Sequence, residues 1–421
     1  MALLGIIADD FTGATDIAGM LVKGGMRTVQ TIGVPAPDMA LDDIDGIVVA
    51  LKSRTIAPND AIAQSLDALV ALQARGCRQF FFKYCSTFDS TDRGNIGPVA
   101  DALLDRLDAP FTIFCPAFPA NGRAIFHGYL FVGSVLLSES SMRDHPLTPM
   151  TDPSLVRVLQ RQTRHKVGLI GLRTVQAGAT AIREEIEVLK ASGMRHAVVD
   201  AGTDPDLMTI GEAVADLALV TGGSGVAMGL PANFRRAGLL RAGAADELPK
   251  VDSKAAIIAG SCSAATLGQI ATYRGAGGAA LELDTGAICD GGDVANQALD
   301  WAGKQAGPAL LYASAPPDRV KAVQARYGVE ESSKRIEATM AAIAQGLVGA
   351  GVRRLVVAGG ETSGAVVQAL GARALRIGPE IDPGVPWTAT TTASGATIAL
   401  ALKSGNFGAA DFFSKAFAKL P

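Results

Sequence analysis

The segment spanning residues 354–370 reads RLVVAGGETSGAVVQAL. Its β-branched run Leu355-Val356-Val357 predicts a buried strand, and Gly359-Gly360 a tight turn. Val366, Val367 and Leu370 carry the spacing of a helix's apolar face. A chain that passes from buried strand to helix in so few residues belongs in a layered α/β sheet. Such a turn leaves unpaired backbone N–H groups at the positive end of a helix dipole, an arrangement that suits a phosphate. Gly359 and Gly360 allow the backbone to approach a ligand where a Cβ would clash.

The pattern recurs along the chain. An apolar strand over residues 3–8 ends at Asp9-Asp10-Phe11-Thr12-Gly13, with Thr12 expected to cap a helix that runs to Lys23 and stops at Gly24-Gly25. Further strands are expected at 46–51, 79–83, 111–115, 167–172, 196–199 and 217–221, with helices at 60–75, 96–107 and 179–192 between them. This alternation predicts a mostly parallel sheet wrapped by helices. The polar, proline-bearing stretch 242–254 is expected to be a linker. It separates a domain of residues 1–245 from one of residues 255–421, each a mostly parallel sheet flanked by helices. Strands of the second domain are expected at 255–259, 310–312 and from 354.

With 421 residues, each domain has enough chain for its own core. Hydrophobic residues at 48% against charged ones at 19% describe a compact protein, not a disordered one. A net charge of -3 provides no electrostatic case for nucleic acid or an anionic membrane. Mean hydropathy is +0.27, yet no apolar run approaches the roughly 18 residues of a membrane span. The opening MALLGIIADDF lacks the basic region of a signal peptide. Five cysteines without a Cys-x-x-Cys pair are too sparse for a disulfide scaffold. The expectation is a cytoplasmic protein acting on a small molecule; a homo-oligomer is compatible with the sequence.

Functional groups of open α/β sheets gather at the carboxyl ends of strands. Asp9 and Asp10 fall there, placed to take a proton from a hydroxyl or to hold a metal. Three later strand ends carry Lys52-Ser53-Arg54-Thr55, the run 83–95 beginning with Lys83, and the run 116–123 that includes Asn121 and Arg123. Cations, hydroxyls and an amide at successive strand ends suggest a pocket for a small polyhydroxylated anion. In the second domain three small-residue turns, Gly260-Ser261-Cys262-Ser263, Gly360-Glu361-Thr362-Ser363-Gly364 and Ser404-Gly405-Asn406-Phe407-Gly408, could donate N–H groups and hydroxyls to phosphate oxygens.

Several other chemistries find little or no support in the motifs. A hydrolase elbow at Thr362 would need a later histidine, but His127, His145, His165 and His196 all precede it. Gly222 to Gly229 misses the dinucleotide spacing because Met228 stands at the third glycine position. Gly303-Lys304 is followed by Gln305, so there is no Walker loop. Ser404–Gly408 is similar to the phosphate loop of threonine-synthase-like pyridoxal enzymes, without an evident Schiff-base lysine.

With these residues laid out, the chain closely resembles the four-carbon acid-sugar kinase family over nearly its whole length. The opening Ala8-Asp9-Asp10-Phe11-Thr12-Gly13-Ala14 and the motifs at 359–363 and 404–408 are similar to that family's signatures. Many members carry Lys-x-Asp-Ser-Thr-Leu-Arg-Gly, where this chain has Lys83-Tyr84-Cys85-Ser86-Thr87-Phe88, a variant that looks like the 3-oxo-tetronate kinase subgroup. The resemblance implies transfer of the ATP γ-phosphoryl group, with Mg²⁺, to the C4 hydroxyl of a 3-oxo-tetronate. It implies an acid-sugar domain at 1–245, an ATP domain at 255–421 and an active site in the interdomain cleft. Arg54, Lys83, Ser86, Thr87, Asn121 and Arg123 would hold the acid sugar, and Asp10 with Asp9 would serve as base. Ser261, Gly359, Gly360, Glu361, Thr362 and Gly405 would hold ATP, with no side chain assigned as a metal ligand. A threonate or erythronate kinase is the alternative; an NAD-dependent dehydrogenase and a sugar-acid sensor are more distant ones.

Overall fold

The computed structural model describes residues 2–420 apart from Asp42, Pro146, Arg241, Ala242 and Asp252. Two compact units emerge, Met1–Asp246 and Glu247–Pro421. Of the expected linker 242–254, Ala242 and Asp252 lie outside the described residues, while Leu248 and Val251 pack against the core of the second unit. An apolar side chain buried in a core is part of a domain, so residues 248–251 belong to the second unit and not to a linker.

The first unit runs β1 (Leu4–Ala8), α1 (Phe11–Lys23), β2 (Thr28–Ile32), β3 (Gly46–Ala50), α2 (Pro58–Ala74), β4 (Gln79–Lys83), α3 (Ile96–Arg106) and β5 (Thr112–Cys115). It continues with β6 (Arg123–Phe126), β7 (Tyr129–Val132), β8 (Val135–Leu136), α4 (Leu155–Gln162), β9 (Lys166–Ile170), α5 (Leu172–Gln176) and α6 (Ala179–Ala191). β10 (Met194–Val199), α7 (Asp204–Ala213), β11 (Leu219–Gly222) and α8 (Leu230–Arg236) complete it. The main sheet has the order β2-β3-β1-β4-β11-β5-β10-β9, and its pairings are parallel. Buried on both faces, its central strands read as continuous apolar runs, which is why they were legible in the sequence. β2 was missed because its TVQTI is half polar; Gln30 is buried and accepts a hydrogen bond from Thr15 Oγ1 at 2.8 Å. The antiparallel sheet β6-β7-β8 was also missed.

The second unit runs β12 (Lys254–Ala259), α9 (Ala264–Gly275), β13 (Ala280–Glu282), α10 (Thr285–Cys289), α11 (Val294–Gly303), β14 (Ala309–Tyr312), α12 (Pro317–Tyr327) and α13 (Val329–Gly349). It closes with β15 (Val352–Ala358), α14 (Gly360–Ala369), β16 (Ala374–Asp382), β17 (Val385–Thr391), β18 (Thr397–Lys403) and α15 (Phe412–Ala418). Its strand order is β13-β14-β12-β15-β18-β17-β16; β17 is antiparallel to both its neighbours. Trp387, fully buried, anchors α15 against the sheet through Nε1–H donated to the Ala416 carbonyl at 2.8 Å.

Each sheet contains a switch point, where connections leave neighbouring strands in opposite directions. In the first unit it lies between β1 and β4, in the second between β12 and β15. A crevice forms outside the carboxyl ends of such strand pairs because the flanking helices diverge to opposite faces. The residues that follow β1 and β4 are Asp9 and Tyr84; those that follow β12 and β15 are Gly260 and Gly359.

The β6–β7 turn, at the far end of β6 from the expected site residue Arg123, is tied to the main sheet by Asp200. Its fully buried carboxylate accepts from the N–H groups of His127 (2.8 Å), Gly128 (2.8 Å) and Leu172 (3.1 Å). Asp200→Ala would strand three amide donors, a loss of at least about 3 kcal/mol. Urea unfolding should therefore show Asp200→Ala strongly destabilised and Asp200→Asn, which keeps one acceptor oxygen, less so.

Candidate active site

Asp9 is buried directly after β1, its main chain held by a bond from its N–H to the Lys83 carbonyl (3.0 Å) and by the Ser53 N–H donated to its own carbonyl (2.9 Å). Its carboxylate takes the guanidinium fork of Arg54, with Nε at 2.9 Å from one oxygen and Nη2 at 2.8 Å from the other. Nη2 also reaches Asp10 Oδ1 at 2.6 Å, and Nη1 lies 3.7 Å from Asp89. Burial raises the Asp9 pKa, with the Arg54 guanidinium opposing it. Burial likewise works against the Arg54 charge, but Asp9 and Asp10 more than offset it and hold the guanidinium above its ordinary pKa. Arg54 Nε and Nη2 are thus engaged by the two aspartates in this structure. The loop that carries it is pinned by Asn95, whose Nδ2 donates to the carbonyls of Ser53, Arg54 and Ile56 at 2.7, 3.2 and 2.9 Å.

The N-cap of α1 is Asp10, not Thr12. Asp10 Oδ1 accepts from Gly13 N–H at 3.1 Å, and its extended backbone (φ -145°) leads into the helix. A carboxylate outcompetes a hydroxyl here because it meets the helix dipole as well as the N–H. Among the described residues Asp10 Oδ2 has no hydrogen-bond partner, so one oxygen remains for chemistry. Gly13 is required at this turn: a Cβ would lie 2.3 Å from Asp10 Oδ1 and 2.6 Å from Lys83 Nζ. Lys83, 3% exposed at the end of β4, therefore has its ammonium against the first turn of α1, where it donates to the Tyr84 carbonyl at 2.9 Å.

The loop after β4 is strained. Phe88 (φ 64°) and Asp89 (φ 43°) are consecutive non-glycine residues in the left-handed region. The conformation persists because Phe88 is buried edge-on against Tyr84, with ring centroids 5.5 Å apart, and Thr87 Oγ1 donates to Asp89 at 2.7 Å. Cys85 contacts the Thr87 hydroxyl at 3.0 Å, and burial, with Asp89 nearby, pushes its thiol up to about 11. It is a neutral thiol at physiological pH; the carboxylate facing Arg54 from this loop is Asp89. Ser86 is half-buried on the same loop. Asn121 and Arg123 are joined to each other, with Arg123 Nη1 donating to the Asn121 carbonyl. No hydrogen bond or ion pair among the described residues links them to the Asp9–Arg54 cluster.

In the second unit the three turns expected to meet do meet. The N–H groups of Gly260 and Ser261 donate to the Ala358 carbonyl at 2.9 and 3.2 Å, and Gly359 N–H donates to the Lys403 carbonyl at 2.8 Å. Gly359 has φ 133°, and a Cβ on it would press within 3.0 Å of Thr362 Oγ1; a Cβ on Gly405 would lie 2.3 Å from Ser261 Oγ. Gly360 faces open space. α14 begins without a side-chain cap, so the N–H groups of its first turn point outward unpaired. A cavity of about 470 Å³ opens beside it, lined by Gly260, Ser261, Gly359 to Thr362, and an apolar patch of Val320, Val323 and Ile336 from α12 and α13. That wall was not legible in the sequence, because α12 and α13 carry exposed polar faces and no motif. Asp89, Asn95 and Lys403 were likewise passed over, although each sits beside a residue that was chosen.

Two outcomes follow from these environments. At pH 8 a thiol titrating near 11 has roughly two hundredfold less thiolate than an ordinary cysteine, so iodoacetamide should leave Cys85 unmodified in the folded protein; rapid labelling there would show the loop to be open. Gly360→Val should fold normally and Gly359→Val should lower the melting temperature, because only the second needs a left-handed backbone and crowds Thr362.

Comparison with known proteins agrees with this division. Residues 4–230 match a family model described as a sugar-binding N-terminal domain, and residues 256–413 one described as a nucleotide-binding C-terminal domain. The chain is 59% identical over 421 residues to a 3-oxo-tetronate kinase of Cupriavidus necator, covering 99% of this chain and 97% of that one. It is 61% identical over 420 residues to one of Burkholderia multivorans, with the same coverage of both chains. A crystal structure of a Haemophilus influenzae protein superposes with a TM-score of 0.88 at 46% identity, covering 99% of this chain and all of that one. One from Salmonella typhimurium gives 0.93 at 42%, covering both chains completely. With both domains matched in order and identities this high over nearly full length, the chain belongs to the four-carbon acid-sugar kinase family.

Proposed function

We propose that this protein transfers the γ-phosphoryl group of ATP to the C4 hydroxyl of 3-oxo-tetronate. The observation that carries the reading is the pairing of two unlike switch-point sites in one chain. One is built of acid and cation side chains, the other of backbone N–H groups and hydroxyls beside an apolar-walled cavity. A small hydroxy acid suits the first and a nucleoside triphosphate the second. The relatives named above supply the specific acid.

In this reading the triphosphate lies on the Gly260-Ser261 and Gly359-Gly360 turns, with the first-turn N–H groups of α14 on its oxygens and the base against Val320, Val323 and Ile336. The substrate carboxylate is held by Lys83 Nζ and the first-turn N–H groups of α1, with Ser86, Asn121 and Arg123 reaching its remaining oxygens. Asp10 Oδ2 orients the C4 hydroxyl and accepts its proton; Arg54 and Asp9 fix the Asp10 carboxylate through the contacts described. Among the described residues no group of three or more acids, histidines or cysteines is arranged to hold a metal. Such a site fits Mg²⁺ that enters on the ATP phosphates, with Glu361 as a carboxylate on the cavity wall beside them. The ion would neutralise charge on the phosphate oxygens. The protein's part is to align donor and acceptor and to keep water from the phosphoryl group.

ADP release across a panel of four-carbon acids tests the assignment: 3-oxo-tetronate should give the highest kcat/KM, and a preference for threonate or erythronate would move the substrate to that alternative. Asp10→Asn should lower kcat by about 10²–10⁴-fold with little change in KM for ATP; wild-type turnover would remove Asp10 from the role. Gly360→Val should weaken ATP binding and leave acid-sugar binding intact by calorimetry, and the reverse pattern would exchange the ligands of the two units.

A further inference from the structure

Lys403 ends β18 and is wholly enclosed, with no exposed surface. Its Nζ donates to Thr266 Oγ1 (3.0 Å), the Ser404 carbonyl (3.0 Å) and the Gly405 carbonyl (2.9 Å). All three ammonium protons are thereby used on neutral oxygens, and no ion pair among the described residues includes Lys403. The charged groups on the elements around it are engaged elsewhere or face outward. On β15, Arg354 donates to the Ser253 carbonyl and Arg353 to those of Val348 and Val352, at the far end of the strand from Ala358, which pairs with Lys403. On α9, Arg274 bonds the Tyr312 hydroxyl. On α14, Glu361 is exposed; on β16, Asp382 is paired with Lys415; β17 carries no charge. A buried ammonium without a counter-ion is costly, and burial draws this one down to about 8.

The same bonds fix the direction of the loop. The Gly405 carbonyl is also held by Ser263 Oγ (2.6 Å) and Thr266 Oγ1 (2.9 Å), and Gln269 Nε2 holds the carbonyls of Phe407, Gly408 and Ala409 at 3.0, 2.9 and 3.0 Å. In a planar trans peptide the N–H points opposite to the C=O. With the Ser404 and Gly405 carbonyls turned toward Lys403, the Gly405 and Asn406 N–H groups must face the other way, and among the described residues they have no acceptor. We propose that Lys403 is a positioning residue for the nucleotide: it turns these two peptides so that their N–H groups meet the phosphates, and the phosphates become the counter-charge its ammonium lacks. This rests on the reading of the second unit as the ATP site.

An ammonium that gains an anionic neighbour holds its proton more tightly. ATP binding should therefore take up a proton in the range above about pH 8, where free Lys403 is partly neutral and a phosphate ester, with a second pKa near 6, no longer titrates. Calorimetry of Mg²⁺-ATP binding to the full chain between pH 7 and 9.5, in buffers of contrasting ionisation enthalpy, should show uptake approaching one proton. The ATP Kd should rise with pH by up to about tenfold per unit. Lys403→Met should bind ATP about 10- to 100-fold more weakly at pH 7, with no proton uptake, a flat pH profile and unchanged acid-sugar binding. Lys403→Arg should recover affinity but not uptake, since a guanidinium keeps its proton. If Lys403→Met does not fold, the wild-type proton count decides. No uptake between pH 8 and 9, or a Lys403→Met variant with wild-type affinity and pH profile, overturns the proposal. Should Gly360→Val weaken ATP binding while Lys403 proves silent, only this inference fails; should Gly360→Val bind ATP normally, the ATP-site reading fails and takes this one with it.

Discussion

Parallel pairing obliges neighbouring strands to end at the same edge of a sheet, and the candidate site residues of this protein are concentrated where that edge splits. At the β1/β4 and β12/β15 switch points the flanking helices leave toward opposite faces, so the strand-end residues look into a crevice rather than into a packed helix. Asp9, Asp10 and Lys83 on one sheet, and Gly260, Ser261, Gly359 and Gly360 on the other, owe their shared location to this rule. Strand pairing, not sequence proximity, brings Lys83 to the Asp9-Asp10 pair and the Gly260-Ser261 turn to the Gly359-Gly360 turn.

In the proposed reading the two crevices attract anions differently. In the first unit Arg54 is bonded to Asp9 and Asp10, whereas among the described residues no ion pair includes Lys83, whose ammonium donates to the Tyr84 carbonyl. In the second the attraction comes from unpaired N–H groups, which carry partial charge in fixed directions and need no side chain to be ordered. Close approach is the price of using backbone, and it appears at Gly359 and Gly405, where a Cβ would meet Thr362 or Ser261. Each crevice also has a buried lysine as the last residue of a central strand, donating to the carbonyl of the residue that follows.

Rigidity around the first crevice is distributed over buried polar clamps. Asn95 holds three carbonyls of the Arg54 loop, and Asp200 collects three N–H groups from two segments. The left-handed Phe88–Asp89 pair is kept in place by aromatic packing and the Thr87 hydroxyl. A small substrate with few apolar atoms gives little binding energy for induced ordering, so a site prepared in advance is the physical requirement.

The sequence by itself determined the fold class, most of the strands that are buried on both faces, and the glycine-bearing turns at their ends, while many of the helices, α12 and α13 among them, escaped it. It did so because strands buried on both faces must be apolar throughout, and close turns need glycine. The half-polar β2 and the β6–β8 sheet escaped because their patterning depends on particular buried partners, such as Thr15 for Gln30. Only tertiary structure decided the roles inside the sites. It made Asp10 rather than Thr12 the cap of α1, committed the Arg54 fork to two aspartates, and put the α12 and α13 wall beside the phosphate turns. It also placed Lys403 against neutral oxygens, with no ion pair among the described residues. Residue type fixes what a side chain can bond to; which of those bonds it makes depends on neighbours that the chain supplies from tens to hundreds of residues away.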